Sequence, residues 1–361
     1  MAHQQQGSSL IATIGSALTA FPYPQFAIRA PSSPATSPLP DPSLMAFEND
    51  LARRLGQLQQ SKHDGSYLNL PWLRQALDAT LVTNSAVETL IPDFELPYSE
   101  REDRWVGEYL DDSAKLLDVC NALKDQISDM IHYQTQLQLA LHLLDTRDNW
   151  WTSDIKCQRI RNALQECLLT IRSKDDIQGQ TRFSSKFDSC NSTLRRMADK
   201  LAAPIVKSKP FVTAIYGAKV NTIFVCGIAA AALTVKPRRP LSSLHVPSHF
   251  LWSAPLITLQ HRLKEEMHTG KTNGSTALLG ELTGIDAIVK QLHDILDDAV
   301  LLKMSSKEQA FELSQLAGNL REQSEELGKG LGLLEHQVNE LFRMLVNSRV
   351  TLLNLISHSR S

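Results

Sequence analysis

Gly270-Lys271-Thr272 has the ending of a phosphate-binding loop. That loop needs a glycine at position 265 and a buried strand before it. Position 265 is Glu265 and the preceding residues read as helix, so nucleotide binding is not expected. His245 and His249 have metal-pair spacing, but Pro247 lies between them and no cysteine cluster offers further ligands. His132 and His142 stand ten residues apart on a helical stretch, which separates them by roughly 15 Å along the axis. They cannot share an ion. Neither a GxSxG elbow nor an HExxH helix is present. Glu100, Glu102, Asp103, Asp111 and Asp112 form an acidic group; near a helix start, such carboxylates favourably oppose the helix dipole. That reading is preferred to paired catalytic carboxylates, because no pocket motif accompanies them. Asn191-Ser192-Thr193 and Asn273-Gly274-Ser275 match the glycan-acceptor pattern, which only a secreted chain would use. The expectation is a non-enzyme with no catalytic residue, no cofactor and no metal; an enzyme acting on an apolar metabolite, which would need a large apolar cavity with converging polar groups, is the lesser alternative.

The bulk numbers agree with a soluble fold. Of 361 residues, 42% are hydrophobic, 21% charged and only 6% aromatic. Abundant leucine with few aromatics suits helix packing better than a sandwich or barrel. The net charge of −2 removes the basic field expected of a nucleic-acid binder. Five cysteines, none spaced as CxxC, read as buried small hydrophobes in a reducing compartment.

The elements that would position any site are helices. Residues 1–43 are rich in Pro and Ser, with no acid before Asp41. They read as a disordered arm, with a plastid transit peptide as the alternative; Pro22 to Pro42 block a continuous helix there. From residue 44 to 361 the pattern is one helical domain. Leu44, Phe47, Leu51, Leu55 and Leu58 share a face, and Pro71 opens the next helix. Apolar residues from Trp105 to Leu144 step by three or four, predicting a long helix over about 100–144 in which Ser113 and Gln134 interrupt the seam and could set register. A helix is expected from Asp154 to Arg172, a polar loop from Ser173 to Ser185, and a helix through Leu194 and Met197. Two further seams run from Leu278 to Ala299 and from Leu313 to Leu345. Gly328, Gly330 and Gly332 predict a bend or weak turn near Lys329. The fold class is all-α, an elongated bundle of long antiparallel helices. The seams serve as its core, with an oligomerisation surface as the other use and the oligomeric state open.

One segment is ambiguous. Between Phe211 and Val235 the only charge is Lys219, and Thr222–Val235 carries none. A membrane span wants about 20 apolar residues. The preferred reading is a central buried helix, whose small residues let neighbours approach. Membrane association or a true span are the alternatives, with Lys219 snorkelling to an interface.

Several stretches together resemble the plant BYPASS family: Pro71-Trp72-Leu73, Leu90 to Pro97, Trp105 to Ala122, Ile215 to Val220 and Ser348 to Leu353. They cover most of the chain from about Met45. The resemblance implies a plant regulator that restrains a root-derived mobile signal able to arrest shoot growth. The family is similar to the ROH proteins, some of which bind exocyst subunits, and some relatives carry a plastid label. It has no defined catalytic residues to carry over. Protein partners are therefore expected, exocyst subunits among them by analogy, and no nucleic acid. The expected location is cytoplasmic with a membrane-associated variant, or else the plastid. The candidate partner surface is the polar flank of the Trp105–Ala122 stretch: Asp111, Lys115, Asp118 and Asn121.

Overall fold

The computed structural model describes residues 41–62, 66–90, 100–144, 154–172, 182–204, 209–234, 243–272, 277–302 and 307–360. The expected arm lies outside them except for its last three residues. Among the described residues the chain is all-α. Its helices are α1 (Pro42–Gln60), α2 (Leu70–Leu90), α3 (Glu100–Leu144), α4 (Asp154–Arg172), α5 (Arg182–Asp199), α6 (Pro210–Ala232), α7 (Ser253–Thr272), α8 (Gly280–Leu302) and α9 (Lys307–Arg360).

Local chemistry explains the ends. Asp41 caps α1 by accepting from the Ser43 and Leu44 amides at 2.8 and 3.2 Å. Pro42 then occupies the first turn, where its missing N–H costs nothing. Pro42 thus starts the helix instead of blocking it, two residues before the expected Leu44. Asn69 caps α2 through the Trp72 amide at 2.9 Å. Glu266 of α7 clamps the approach to α2, accepting from the Tyr67 amide at 2.9 Å and the Leu68 amide at 3.1 Å.

The 45-residue α3 and the 54-residue α9 form the backbone of the bundle. They run antiparallel: Gln134 of α3 donates to the Ser324 carbonyl at 3.1 Å, and Arg349 reaches Ser113 at 2.8 Å. Helix α2 lies alongside α9 in the same direction. Gln337 donates to the Arg74 carbonyl at 3.2 Å, and Ser348 donates to Glu88 at 2.5 Å. The apolar positions of the predicted seams are buried, from Leu116 to Leu141 on α3, Leu282 to Leu296 on α8 and Leu320 to Leu345 on α9. At about 25 cal/mol per Å² of apolar surface removed from water, such seams dominate the folding free energy.

Two expectations change. The polar stretch after Ser173 is helical from Arg182 onward, because Cys190, Leu194 and Met197 bury one face of α5 against α3 and α6. The three glycines do not interrupt α9. A Cβ at Gly328 would stand 2.5 Å from Gln134 Nε2, and one at Gly330 would stand 2.7 Å from Leu70 Cδ1. These glycines let α3 and α2 press against α9, and the long packed face outweighs about 1 kcal/mol of helix propensity at each position.

Helix α6 fills the centre, against α1, α2, α3 and α5. It is long and apolar enough to cross a membrane by length and composition, yet 94% of its apolar window is buried inside the fold. Gly217 admits α1, since a Cβ there would meet Phe47 Cε1 at 3.0 Å. Val235 lies outside the described residues.

Candidate functional site

The Trp105–Ala122 stretch of α3 has two faces. Inward, Val106, Ser113, Leu116, Val119 and Cys120 are buried, while Trp105 and Tyr109 are half-buried. Outward, Asp111, Asp118 and Asn121 are exposed and make no hydrogen bond or ion pair. Lys115 differs from these three. It is half-buried and its ammonium sits 2.7 Å from Asp112.

Asp112, read as a carboxylate opposing the helix dipole, instead bridges two helices. It pairs with Lys219, the lone charge of α6, whose side chain is only 9% exposed. Burial by itself would raise the Asp112 carboxyl, but hydrogen bonds and charges from Lys115 and Lys219 outweigh it and hold the group below its ordinary value. Lys219 is thereby neutralised inside the bundle.

Beside this pair, Arg349 of α9 donates to the Leu110 carbonyl and to Ser113 Oγ. Its neighbour Ser348 donates to Glu88 of α2. Burial raises the Tyr109 phenol, and the Glu88 charge pushes the same way, against Ser348 and Arg349. A polar ladder joins α2 to α6. Asn221 Nδ2 donates to Thr80 Oγ1 at 3.1 Å, and Asn84 Nδ2 donates to Thr222 Oγ1 at 3.0 Å. Lys219, Asn221 Nδ2 and Thr222, three polar groups of the apolar stretch, find partners within the fold, while the Tyr216 hydroxyl and Asn221 Oδ1 are buried without one, and Phe211 at its start is buried.

Three stretches distant in sequence therefore meet: Trp105–Ala122, Ile215–Val220 and Ser348–Leu353. Their shared polar residues are joined to one another, not aimed into a cavity. That arrangement fixes helix register.

Residues 30–197 and 177–356 match the family described as Protein ROH1-like. The chain belongs to the ROH1-like family. This ROH1-like chain is 34% identical over 254 residues to "UPF0496 protein 4" of Oryza sativa subsp. indica, covering 69% of this chain and 53% of that protein. It is 28% identical over 316 residues to "Protein BPS1, chloroplastic" of Arabidopsis thaliana, covering 86% of this chain and 83% of that protein, which meets the BYPASS resemblance. "Protein ROH1D" of Arabidopsis thaliana is 22% identical over 352 residues, covering 85% and 86% of the two chains. The chain spans about half the length of the rice relative, the 53% above. No solved structure matches.

The remaining sequence candidates are dispersed. Among the described residues no three His, Cys, Asp or Glu side chains group for a metal. His245 and His249 are both exposed, and the His249 ring lies tilted against Phe250 with centroids 4.1 Å apart. His132 and His142 are exposed on α3. Gly270–Thr272 ends α7, so it offers carbonyls, not the amides that a phosphate needs. Asn191 is buried and cannot present a glycan, while Asn273 lies outside the described residues. Sequence reading missed Arg349 as the α3–α9 tether; an arginine in the middle of a buried seam's flank was its only signal.

Proposed function

We propose that this ROH1-like chain is a non-enzymatic regulatory scaffold that works through protein partners recognised by the outer face of α3. One observation carries the reading. Within the Trp105–Ala122 stretch, the inner residues have structural tasks, whereas Asp111, Asp118 and Asn121 are exposed and have none within the fold. Lys115 supports that face from below through Asp112. Exposed polar residues without structural duty are where partner contacts can form without cost to folding. The biological role we assign by family resemblance is restraint of a root-derived mobile signal in plant development. Cytoplasm is the proposed compartment. The chloroplast label of the Arabidopsis relative supports the plastid alternative.

The test is a pull-down from plant tissue with Asp111→Lys and Asp118→Lys combined, probing exocyst subunits among the recovered proteins. Loss of specific partners from a normally folded variant is expected. Recovery of the same partners in the same amounts would end the surface proposal. Membrane association is tested by carbonate extraction. With α6 enclosed by four helices, release into the supernatant is expected, and retention in the pellet would mean that the bundle opens.

A further inference from the structure

An apolar strip runs beside the outer face of α3. Phe342, Val346, Val350 and Leu353 of α9 follow one another at helical spacing, which places them on one side of that helix. The strip lies along α3: the Lys124 ammonium sits over the Phe342 ring at 5.8 Å, and Arg349 reaches Ser113 at 2.8 Å. Phe342 and Val346 are half-buried, but Val350 is 50% exposed and Leu353 48%. On the α3 side, Leu110, whose carbonyl accepts from Arg349, and Leu117, two turns on, are half-buried as well. Single apolar residues on a surface need no explanation, whereas a continuous strip with a polar rim marks a contact site. Two antiparallel helices with apolar residues left open along their shared edge make a seat for a third.

The rim decides the occupant. Its α3 edge carries Asp111 and Asp118, which are exposed, have no partner and stand two turns apart on one side of the helix. Its α9 edge is different. Arg343 there is paired with Glu340, and Asn347 is uncharged. The strip therefore presents negative charge along one edge. That edge repels an anionic bilayer and a nucleic-acid backbone. A second copy's strip does not complement it either, since Arg343 is already paired and Arg349 is tied to α3.

We propose that the α3–α9 groove binds an amphipathic helix of a protein partner, its apolar face on the Phe342–Leu353 strip and basic residues, two turns apart on one edge, set against Asp111 and Asp118. This rests on the reading of the outer α3 face as a partner surface and names the chemistry of that partner. The strip is roughly 16 Å long at 1.5 Å per residue, enough to seat about three turns of helix. Apolar contact supplies affinity, while the acidic edge sets orientation and rejects acidic helices.

The experiment uses the full chain in plant tissue, with a benzophenone cross-linking side chain in place of Asn347 beside the strip. Cross-linked segments are sequenced by mass spectrometry. The expected product joins a segment of another protein that has apolar residues at helical spacing and Lys or Arg along one edge. Val350→Glu with Leu353→Glu should abolish that product, and so should Asp111→Lys with Asp118→Lys, while the melting curves match the parent. Cross-linking to a second copy, to a segment without basic residues, or to no protein would overturn the proposal. So would a product that survives either pair of substitutions. If the two α3 substitutions remove partners from the pull-down and the two strip substitutions remove none, the groove fails and the α3 surface stands. If neither pair changes the recovered partners, both fail.

Discussion

Lys219 of α6 and Asp112 of α3 form an ion pair inside the bundle, with side chains 9% and 14% exposed. The two partners are not equivalent. Asp112 also holds Lys115, whereas Lys219 has Asp112 as its counter-charge. Asp112→Ala should therefore destabilise by about 3 kcal/mol, because it strands a buried ammonium. Lys219→Met keeps Asp112 paired and adds apolar contact, and should cost about 1 kcal/mol or less. Urea midpoints of the two variants test the order. A larger loss from Lys219→Met would contradict the asymmetry.

The same carboxylate sets an acid response. Asp112 is held below its ordinary value, so it binds fewer protons folded than unfolded around the carboxylate range. Its contribution to stability is fully present above the unfolded value, about pH 4, and disappears as the pH falls through the folded one. Asp112→Asn should flatten the decline in stability between about pH 5 and 3. The check is a series of urea titrations across that range, in which parent and variant lines should converge on acidification.

All five cysteines are free and buried. Burial pushes the thiols of Cys120, Cys167 and Cys190 up to about 12, and that of Cys226 well above its ordinary value. The folded chain should react slowly with a thiol reagent at about pH 8, where an exposed cysteine is partly thiolate. In urea all five should react promptly. Because these values are raised on folding, their stabilising effect is complete below the ordinary thiol value near 9 and is lost as the pH climbs towards 12. Rapid labelling of two or more thiols in the folded state would show that the core opens.

The three glycines of α9 should separate under substitution by alanine. Gly332 has open space at its Cβ position, so Gly332→Ala should stabilise by about 1 kcal/mol. At Gly328 the obstacle is the tip of Gln134, whose displacement costs its bond to Ser324 and cancels most of the gain. At Gly330 the obstacle is buried Leu70, which a Cβ would meet at 2.7, 3.3 and 3.5 Å. Gly330→Ala should destabilise by about 1–3 kcal/mol. Thermal melts of the three variants decide it, and a common gain would mean that the helices are not in close contact there.

The α3 face gives the opposite expectation. Asp111→Lys and Asp118→Lys alter exposed residues without partners, so stability should move by less than about 0.5 kcal/mol. A melting curve beside the pull-down separates lost recognition from lost folding.

The all-α class and the bounds of α3 and α4 were legible because leucines recurring at three and four residues can bury a stripe only as helix. The same reasoning failed at α5, where the local residues are polar and the helix depends on neighbours outside the segment. It also failed at Lys329, where propensity counts the cost of glycine but not the partner helix that needs the space. Asp111, Asp118 and Asn121 lie outward as the heptad phase implied, whereas Lys115 turns to Asp112, which no spacing rule could show.

By itself the sequence determined the helices, their apolar faces and the family, since each depends on residues close in the chain or on motifs in a fixed order. Only the tertiary structure decided that Phe211–Ala232 is enclosed, because hydropathy is identical for a span and for a core helix until Asp112, Thr80 and Asn84 are brought to Lys219, Asn221 and Thr222. It alone also brought the Phe342–Leu353 strip of α9 alongside Asp111 and Asp118 of α3, across helices whose separation in sequence carries no trace of their contact.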